Sequence, residues 1–563
     1  MIAISTLPDV IVLIILGLVS AAIVGRYMAK VFVGRPTFLD PVMRPVESAL
    51  LRLMGVDASR QMRWKEYAVA LLVLNATATV FVFVLLLLQG YLPLNYWNAP
   101  GMNWDLAVHT ALSFDTNTDF QHYTPELQTS LFSSLFGLMM MMFLSAASGI
   151  SVGVALIRGF LRKDGTIGNF YLDVTQAFTR VLLPISILGA LMLILAGVPQ
   201  TLAQSVNIVP LAGPAQGIPL GPVAAWDSIE WLGSNGGGFY AANGASPLQN
   251  PSAITNLIAI FLMLIIPFSA PFMFSRMVRK EGEGRPLLIA ALTIFLVAIL
   301  LFLYFESYNP FLMSTGISQA GGPLVGAEQR FTLPESALFQ IASVYGNVGS
   351  TSMSIGALTP GAQADLLWGM FIQGAPGGDG TGFGLLLINT LLAIFVGGLM
   401  VGRTPEYLGK KIGKYEMRWS TVVILSHPFA ILIPTAVAFI FGLAQFSPAG
   451  LPSHQFTAVL YEFTSESANN GSSMGSLIDN TLYFNLAGAV VMTVGRYLPM
   501  IAMLAIGGTL ASQSPLPPGP GTIKTDSSTF TVFLILFITI VTGLLFLPVL
   551  VMGPFAQGLL GGG

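Results

Sequence analysis

The sequence predicts an all-α polytopic membrane protein with about ten membrane-spanning helices, and three observations carry that expectation. Of 563 residues, 54% are hydrophobic and only 9% are charged, whereas a soluble globular chain is about 25% charged. Mean hydropathy is +0.75. Apolar runs long enough to cross a ~30 Å hydrocarbon core, which takes about 20 helical residues, recur near 9–25, 67–90, 131–157, 172–198, 254–275, 286–305, 385–401, 419–445, 482–507 and 529–552. Basic residues, finally, collect in alternate connections between those runs.

The first run, "DVIVLIILGLVSAAIVG", has no basic segment before it, while Arg26, Lys30 and Arg35 follow it. It reads as a retained helix, not a signal peptide. Lys and Arg then concentrate in Arg26 to Lys65, "RGFLRKDG" at 158–165, "RMVRKEGEGR" at 276–285 and "GRTPEYLGKKIGKYEMR" at 402–418. The connections 91–130, 199–253 and 446–480 contain neither, and 306–365 contains only Arg330. Because short cytoplasmic loops are enriched in these residues, the N-terminus is expected outside. Arg403 and Lys410 are expected as ordinary positive-inside residues. The formal net charge of −2 gives no reason to expect a nucleic-acid partner; membrane lipid is the expected surrounding. The absence of cysteine excludes disulfides, thiolate metal sites and cysteine nucleophiles.

The basic-free connections share a motif: "SFDTNTDFQ" at 113–121, "SNGGG" from Ser234, "VYGNVGSTS" at 344–352 and "ESANNGSSM" at 466–474. With Asn117, Gly236, Gly349 and Gly471 as markers, the spacings are about 119, 113 and 122 residues, and self-similarity at a near-fixed period indicates repeated units. Each motif follows a short, moderately apolar stretch: "WDLAVHTALSF", "AAWDSIEWLGS", "PESALFQIASV" or "FTAVLYEFTSE". The plan is span, re-entrant half-helix, polar loop, span. It divides the chain into a first flanking helix and inside loop (1–66), four repeats (67–165, 166–285, 286–418 and 419–528) and a last flanking helix (529–563). Irregular backbone at membrane depth is tolerated only where it is buried in protein or lines a watery cavity, so the plan is four pseudo-repeated helix/pore-loop/helix units around one pore. The loops differ from one another, which favours a single chain closing one asymmetric pore.

Backbone carbonyls from such loops can replace the hydration shell of a permeating cation. Glycine suits them because it adopts left-handed dihedrals without steric cost. Asn117, Asn235, Asn347 and Asn470 are expected to brace the loops from behind, and neutral dipoles favour a weakly hydrated monovalent cation. Asp119 is the one acidic residue in a filter core; it either draws cations to the mouth or serves as a helix cap or solvated carboxylate.

Three longer motifs, "FLSAASGI" at 143–150, "SNGGGFYAANGASPLQNPS" at 234–252 and "VGRTPEYLGKKI" at 401–412, strongly resemble the KdpA family. These are the potassium-channel-like A subunits of the Kdp potassium-importing P-type ATPases. The resemblance covers the whole chain. It implies a four-repeat fold of the potassium-transporter superfamily and high-affinity K⁺ uptake in a bacterial or archaeal plasma (inner) membrane. It further implies assembly with the other Kdp components: the P-type ATPase KdpB, KdpC and the small KdpF. It also implies filter positions: Thr116, Asn117, Thr118, Asp119 and Gln121 in loop one; Asn235, Gly236, Gly237 and Gly238 in loop two; Asn347, Val348 and Gly349 in loop three; Asn470 and Gly471 in loop four. The chain departs from the family pattern at Asp119, where an amide is usual, and at Val348, where a cysteine stands.

A second glycine run, "GGDGTG" at 377–382, interrupts the apolar region Leu366 to Val401. Broken helices line cavities in transporters, and in related channel-like transporters a loop breaking the third-repeat helix gates the filter. Gly377, Gly378, Asp379 and Gly380, within Gly374 to Gly382, are therefore the gate candidates; the alternative is a connector to a separate surface helix. Arg496 lies in the apolar run "VMTVGRYLPMI", where an ionisable residue is costly. It is the coupling candidate, placed to repel a cation below the filter, to pair with a carboxylate of another protein in the complex, or simply to snorkel. The four histidines, His109, His122, His427 and His454, lack ligand spacing, so K⁺ at the filter is the only metal expected.

Catalysis is not expected in this chain. It has no Asp-Lys-Thr-Gly-Thr phosphorylation signature and no inside loop long enough to fold a nucleotide pocket. "GRTPEYLGKK" has six residues between its glycines where a Walker loop has four. ATP and Mg²⁺ belong on a partner protein, and no cofactor is expected here. The competing readings are a stand-alone K⁺ channel or ion-coupled K⁺ transporter of the same superfamily, and a non-transporting scaffold.

Overall fold

The computed structural model describes residues 7–203, 205–210, 213–307, 326–447, 454–515 and 523–560, with side chains from residue 14 to residue 559. Among these residues ten helices are long and apolar enough to cross a membrane: Ile14–Val33, Trp64–Tyr91, Leu131–Leu161, Phe170–Leu195, Ala253–Val278, Gly284–Ser307, Thr381–Met400, Lys414–Ile440, Leu482–Ala511 and Ser528–Leu559. Several start at the hydroxyl caps expected of helix N-termini. Ser252 Oγ accepts from the Thr255 amide, Thr481 from Phe484 and Ser527 from Phe530.

Burial sorts the spans into two classes. The second span of each helix–loop–helix unit is 89, 78, 67 and 61% buried in chain order, whereas the first spans are 28, 39, 44 and 39% buried. The second spans thus form the inside of the bundle and the first spans its lipid-facing outside. Residue type explains the division. Trp64–Tyr91 shows Val69, Leu72, Val73, Val80 and Phe81 to the surroundings, which suits hydrocarbon. Leu131–Leu161 instead buries Ser145, Ser148, Gly149, Ser151 and Gly153, and small residues let backbones approach closely in a membrane. A Cβ on Gly159 would stand 2.6 Å from the Cα of Gly507 on a neighbouring inner span.

Four short helices lie between first and second spans: Trp104–Asp115, Val223–Leu232, Leu333–Tyr345 and Gln455–Ala468. At 10 to 14 residues they are too short to cross the bilayer. They coincide with the four half-helix stretches anticipated in the sequence, and we call them pore helices one to four.

The interrupted helix of the third unit comprises Pro360–Ile372 and Thr381–Met400. Its first arm is buried from Ala362 to Ile372 except at Trp368, so it is packed inside the bundle and is not a surface helix.

Three features were not anticipated. Within the connection between the first two spans, Asp40–Leu53 is a helix held by the Arg180 guanidinium, which reaches Asp40 at 2.5 Å and Glu47 at 2.5 Å. Its Val42, Val46, Leu50 and Leu53 remain exposed, as in a helix lying in a membrane interface. Short antiparallel ribbons pair Met62–Arg63 with Thr166–Gly168, Ser205–Ile208 with Gln216–Pro219, and Glu406–Tyr407 with Lys410–Lys411; segments this short leave no readable alternation in sequence. Lys410, moreover, is not a solvated positive-inside residue. It is buried, and its Nζ donates to the carbonyls of Arg162 at 2.7 Å and Gln513 at 2.5 Å, tying three connections between spans together.

Candidate functional site

Every pore helix ends in the same hydrogen-bonded turn. The amides of Thr118, Asn235, Val348 and Asn470 donate to the carbonyls of Ser113, Glu230, Ser343 and Ser465, five residues earlier, at 2.9, 2.9, 2.7 and 2.8 Å. The residue before each amide is left-handed: Asn117 (φ 63°), Ser234 (φ 52°), Asn347 (φ 51°) and Asn469 (φ 54°). A six-to-one bond closed over a left-handed residue is the Schellman ending of a helix, and asparagine tolerates that conformation better than most side chains.

This geometry fixes a register that the letters alone did not. Thr118, Asn235, Val348 and Asn470 are equivalent, and so are the residues after them, Asp119, Gly236, Gly349 and Gly471. The sequence markers set Asn117 beside the three glycines, two residues out. The four asparagines expected as braces also fall in two classes: Asn117 and Asn347 occupy the left-handed position, Asn235 and Asn470 the next one.

The four loops meet at their backbones. A Cβ added to Gly349 would lie 1.9 Å from the Asn470 carbonyl oxygen, and one on Gly471 would lie 2.1 Å from that of Thr118. One on Gly236 would meet both oxygens, at 2.6 and 2.4 Å. Only glycine fits three of these positions. The fourth, Asp119, is left-handed at φ 52°, fully buried, and has neither carboxylate oxygen hydrogen-bonded. It is neither a solvated carboxylate nor a helix cap.

Which carbonyls face the meeting point follows from which are already used. The carbonyls of Gly236, Gly237 and Gly238 accept from Asn243 Nδ2 at 2.8 Å, Trp226 Nε1 at 2.8 Å and Gln121 Nε2 at 3.1 Å. Those of the four equivalent residues Thr118, Asn235, Val348 and Asn470 accept no hydrogen bond among the described residues, although all four are fully buried. Buried carbonyls are rarely left unpaired, so these four are the oxygens left open at the meeting point. The side chains of Thr116 and Thr118 bond each other at 2.8 Å, while Val348 is buried and apolar.

Bracing is carried by a larger set than the sequence suggested. Asn117 Nδ2 reaches from loop one to the carbonyls of Gly233 and Ser234 at 3.0 and 2.5 Å, and its Oδ1 accepts from Ser145 at 2.8 Å. Asn470 Nδ2 donates to Val344 O at 3.3 Å, joining loops four and three. Asn235 Nδ2 turns back to Ile229 O of its own helix at 3.1 Å and also reaches Met142 O of the first inner span at 3.4 Å. Asn347 lines a small cavity under the loops with its Oδ1 unbonded. Sequence reasoning missed Trp226, Trp231, Asn243, Ser350 and Asn469. Ser350 bonds Asn243 and accepts from Trp231 Nε1, and Asn469 donates to Thr118 Oγ1 at 2.9 Å. Their one signal was a cluster of tryptophan and asparagine donors in connections that otherwise carry little charge.

The segment joining the two arms of the interrupted helix packs against the C-terminal ends of the pore helices. The Gly377 amide donates to Tyr345 O at 2.9 Å, a Cβ on Gly378 would lie 3.5 Å from that of Asn347, and Ser234 Oγ donates to Asp379 at 3.3 Å. Gly149 and Gly153 of the first inner span make room for it, since a Cβ on either would come within 2.5 Å of Asp379 O or 2.9 Å of Gly380 O. Arg496 lies beside the same segment. Its guanidinium is 5% exposed and donates to Thr381 Oγ1 at 3.0 Å and Ser145 O at 2.9 Å, so it does not snorkel. Asn117, Asn347, Gln373, Gly378, Thr381, Asn469 and Arg496 line the small cavity between the loops and this segment.

Comparison with known proteins agrees with this architecture. The family model described as "Potassium-transporting ATPase A subunit" matches residues 10–559. Proteins named "Potassium-transporting ATPase potassium-binding subunit" are similar along nearly their whole length. The one from Geobacillus kaustophilus is 39% identical over 541 residues, covering 96% of each chain. That from Geotalea uraniireducens is 40% identical over 568 residues, covering 95% of this chain and 96% of its own. That from a Nostoc species is 40% identical over 541 residues, covering 95% of each. With a family match over almost all of its length, on a fold of ten spans and four converging loops, this chain belongs to the potassium-transporting ATPase A subunit family.

Proposed function

We propose that this chain is the potassium-binding and translocating subunit of an ATP-driven K⁺ import complex, and that it selects K⁺ where its four loops meet. The single observation that carries this reading is the convergence of four equivalent turns whose buried carbonyls, those of Thr118, Asn235, Val348 and Asn470, accept no hydrogen bond among the described residues, with Gly236, Gly349 and Gly471 packed at backbone distance. Oxygen dipoles without formal charge suit a large monovalent cation. The negative ends of four pore helices point the same way and favour a cation beyond the filter. Asp119 adds a carboxylate free of protein partners.

In this reading the chain has four repeats with the boundaries 67–165, 166–285, 286–418 and 419–528, the flanking helices lying outside them. K⁺ enters from the basic-free face, which places the N-terminus outside a bacterial plasma membrane. Gly377 to Gly380 gate the cavity under the filter. Arg496, a fixed positive charge on the wall of that cavity, opposes a cation that would continue straight on. ATP and Mg²⁺ are handled by the P-type ATPase KdpB, with KdpC and KdpF completing the complex. A stand-alone channel would need no catalytic partner.

The test is K⁺-stimulated ATP hydrolysis by the assembled complex carrying Gly349→Ala. The added methyl must displace the Asn470 carbonyl, so half-stimulation is expected to need at least about tenfold more K⁺, equivalent to about 1.4 kcal/mol, with assembly of the complex retained. An assembled variant with an unaltered K⁺ response refutes the filter assignment.

A further inference from the structure

Behind loop one and pore helix four lies a group of ligand-type side chains that the filter does not use. His109 on pore helix one and His122, just past loop one, stack with ring centroids 3.8 Å apart. Glu462 and Glu466 project from pore helix four. His122 Nε2 is 3.1 Å from Glu462 Oε1, and His109 Nε2 is 3.5 Å from Glu466 Oε1. Asp479, beyond loop four, joins the same group. The ligand atoms of His109, His122 and Glu466 all lie within 4.8 Å of one another, as do those of His122, Glu462 and Asp479.

The decisive feature is what these groups lack. Both nitrogens of His109 and both carboxylate oxygens of Glu466 are without a hydrogen-bond partner, and both side chains are fully buried. Four orphaned buried polar atoms on two facing side chains are expensive, since each is stripped of water with nothing in exchange, and a charged group loses more than a neutral one. His122, by contrast, is oriented through Nδ1, 2.8 Å from Asn485 Oδ1. Asn485 Nδ2 in turn donates to Asp105 at 2.9 Å. An imidazole fixed through one nitrogen by a second residue is the usual arrangement of a metal-ligating histidine.

We propose that His109, His122, Glu462 and Glu466 bind a divalent transition metal of the Zn²⁺ class at a site separate from the K⁺ filter. The donor set supports the assignment. Imidazole with carboxylate suits zinc and its neighbours, whereas Mg²⁺ and Ca²⁺ prefer all-oxygen shells. Two ionised carboxylates and two neutral imidazoles carry two negative charges, which a divalent cation cancels in a region where net charge is costly, leaving only the partly exposed Asp479 charged beside them. Tetrahedral zinc needs bonds of about 2.0–2.1 Å to nitrogen and oxygen, and because an imidazole binds a metal in its own plane, the stacked His109 and His122 rings must turn out of their 21° near-parallel arrangement as the ligands draw in. Asp479 is only partly buried and lies between the group and the polar connection after loop four, which gives an ion a route in. A metal here would clamp pore helix four to loop one, two of the four parts that meet at the filter.

The test uses the complete purified complex, stripped of metal and then equilibrated with Zn²⁺ alone. About one equivalent of zinc per copy of this chain should be retained over the complex carrying His109→Asn with Glu466→Gln, and either single variant should weaken binding at least about tenfold. A variant that fails to assemble leaves the wild-type complex to decide, by X-ray absorption of its bound zinc. Imidazole scattering in a nitrogen and oxygen shell is expected. Equal zinc retention in assembled wild-type and variant complexes overturns the proposal, and so does a wild-type complex whose zinc is absent or lacks imidazole.

Discussion

At the scale of single residues, the geometry separates side chains that border the proposed ion path from those that hold it in place. Asp119 occupies the position that is glycine in the other three loops, and its carboxylate is buried and unbonded. Removing its charge by Asp119→Asn is expected to weaken K⁺ binding. Two unit charges 4 Å apart interact by about 4 kcal/mol at an effective dielectric of 20, and solvation offsets most of that. A three- to thirtyfold rise in the K⁺ concentration for half-stimulation, about 0.7 to 2 kcal/mol, is therefore the expected outcome. A K⁺ titration of ATP hydrolysis reads it directly, and an unchanged midpoint would show that Asp119 does not face the ion. Gly237→Asp differs in kind. A Cβ there meets Asp119 O at 2.9 Å and the Asp119 Cβ at 3.1 Å, so a second carboxylate is forced against the first. Selection of K⁺ over Rb⁺ and Na⁺ should relax, which uptake measured with each ion would reveal.

At the scale of elements, two contacts decide how the parts are held. The stripe Ser145, Gly149 and Gly153 on one face of Leu131–Leu161 admits the 377–380 segment to backbone distance, while Arg496 bonds both sides of that joint. Gly149→Leu should push the segment away and abolish coupled transport in a chain that still inserts. Intact span topology by accessibility labelling, with K⁺-stimulated hydrolysis lost, is the expected pair of results. Lys410 is the counterpart among the basic connections. Lys410→Met leaves the Arg162 and Gln513 carbonyls without their donor, at a cost of about 1–3 kcal/mol for each unsatisfied group. The purified complex should unfold at a lower temperature, with its K⁺ midpoint unmoved. Neither arrangement was legible beforehand. "FLSAASGI" was visible as a motif, but that its small face receives a broken helix depends on a partner more than 200 residues away.

At the scale of the whole molecule, the ten spans form an inner set that carries the site and an outer set that faces lipid. In the proposed function, energy arrives from elsewhere. Purified alone, the chain should bind K⁺ and hydrolyse no ATP; with its partner proteins, hydrolysis should rise on addition of K⁺. Linkage requires this, because K⁺ can stimulate a remote catalytic site only if it binds the machine's conformational states unequally. ATPase activity in the isolated chain would overturn that division of labour, as would a complex whose K⁺ stimulation ignores substitutions in all four loops.

The sequence by itself determined the helical membrane class, the ten spans, the short pore helices and the family, because each rests on information local to a segment. A run of about 20 apolar residues crosses a bilayer wherever it stands, and long motifs identify relatives without reference to shape. The tertiary structure decided the register of the four turns, the placing of Asp119 among the glycines, and which carbonyls stay open, those of Thr118, Asn235, Val348 and Asn470 and not those of Gly236 to Gly238. It also brought His109 and His122 into contact, although thirteen positions separate them with no ligand spacing. The physical reason is common to all four. Asparagine and glycine serve several turn positions equally well, and whether a carbonyl or imidazole is free depends on hydrogen-bond partners supplied by other segments, such as Trp226, Asn243 and Glu462.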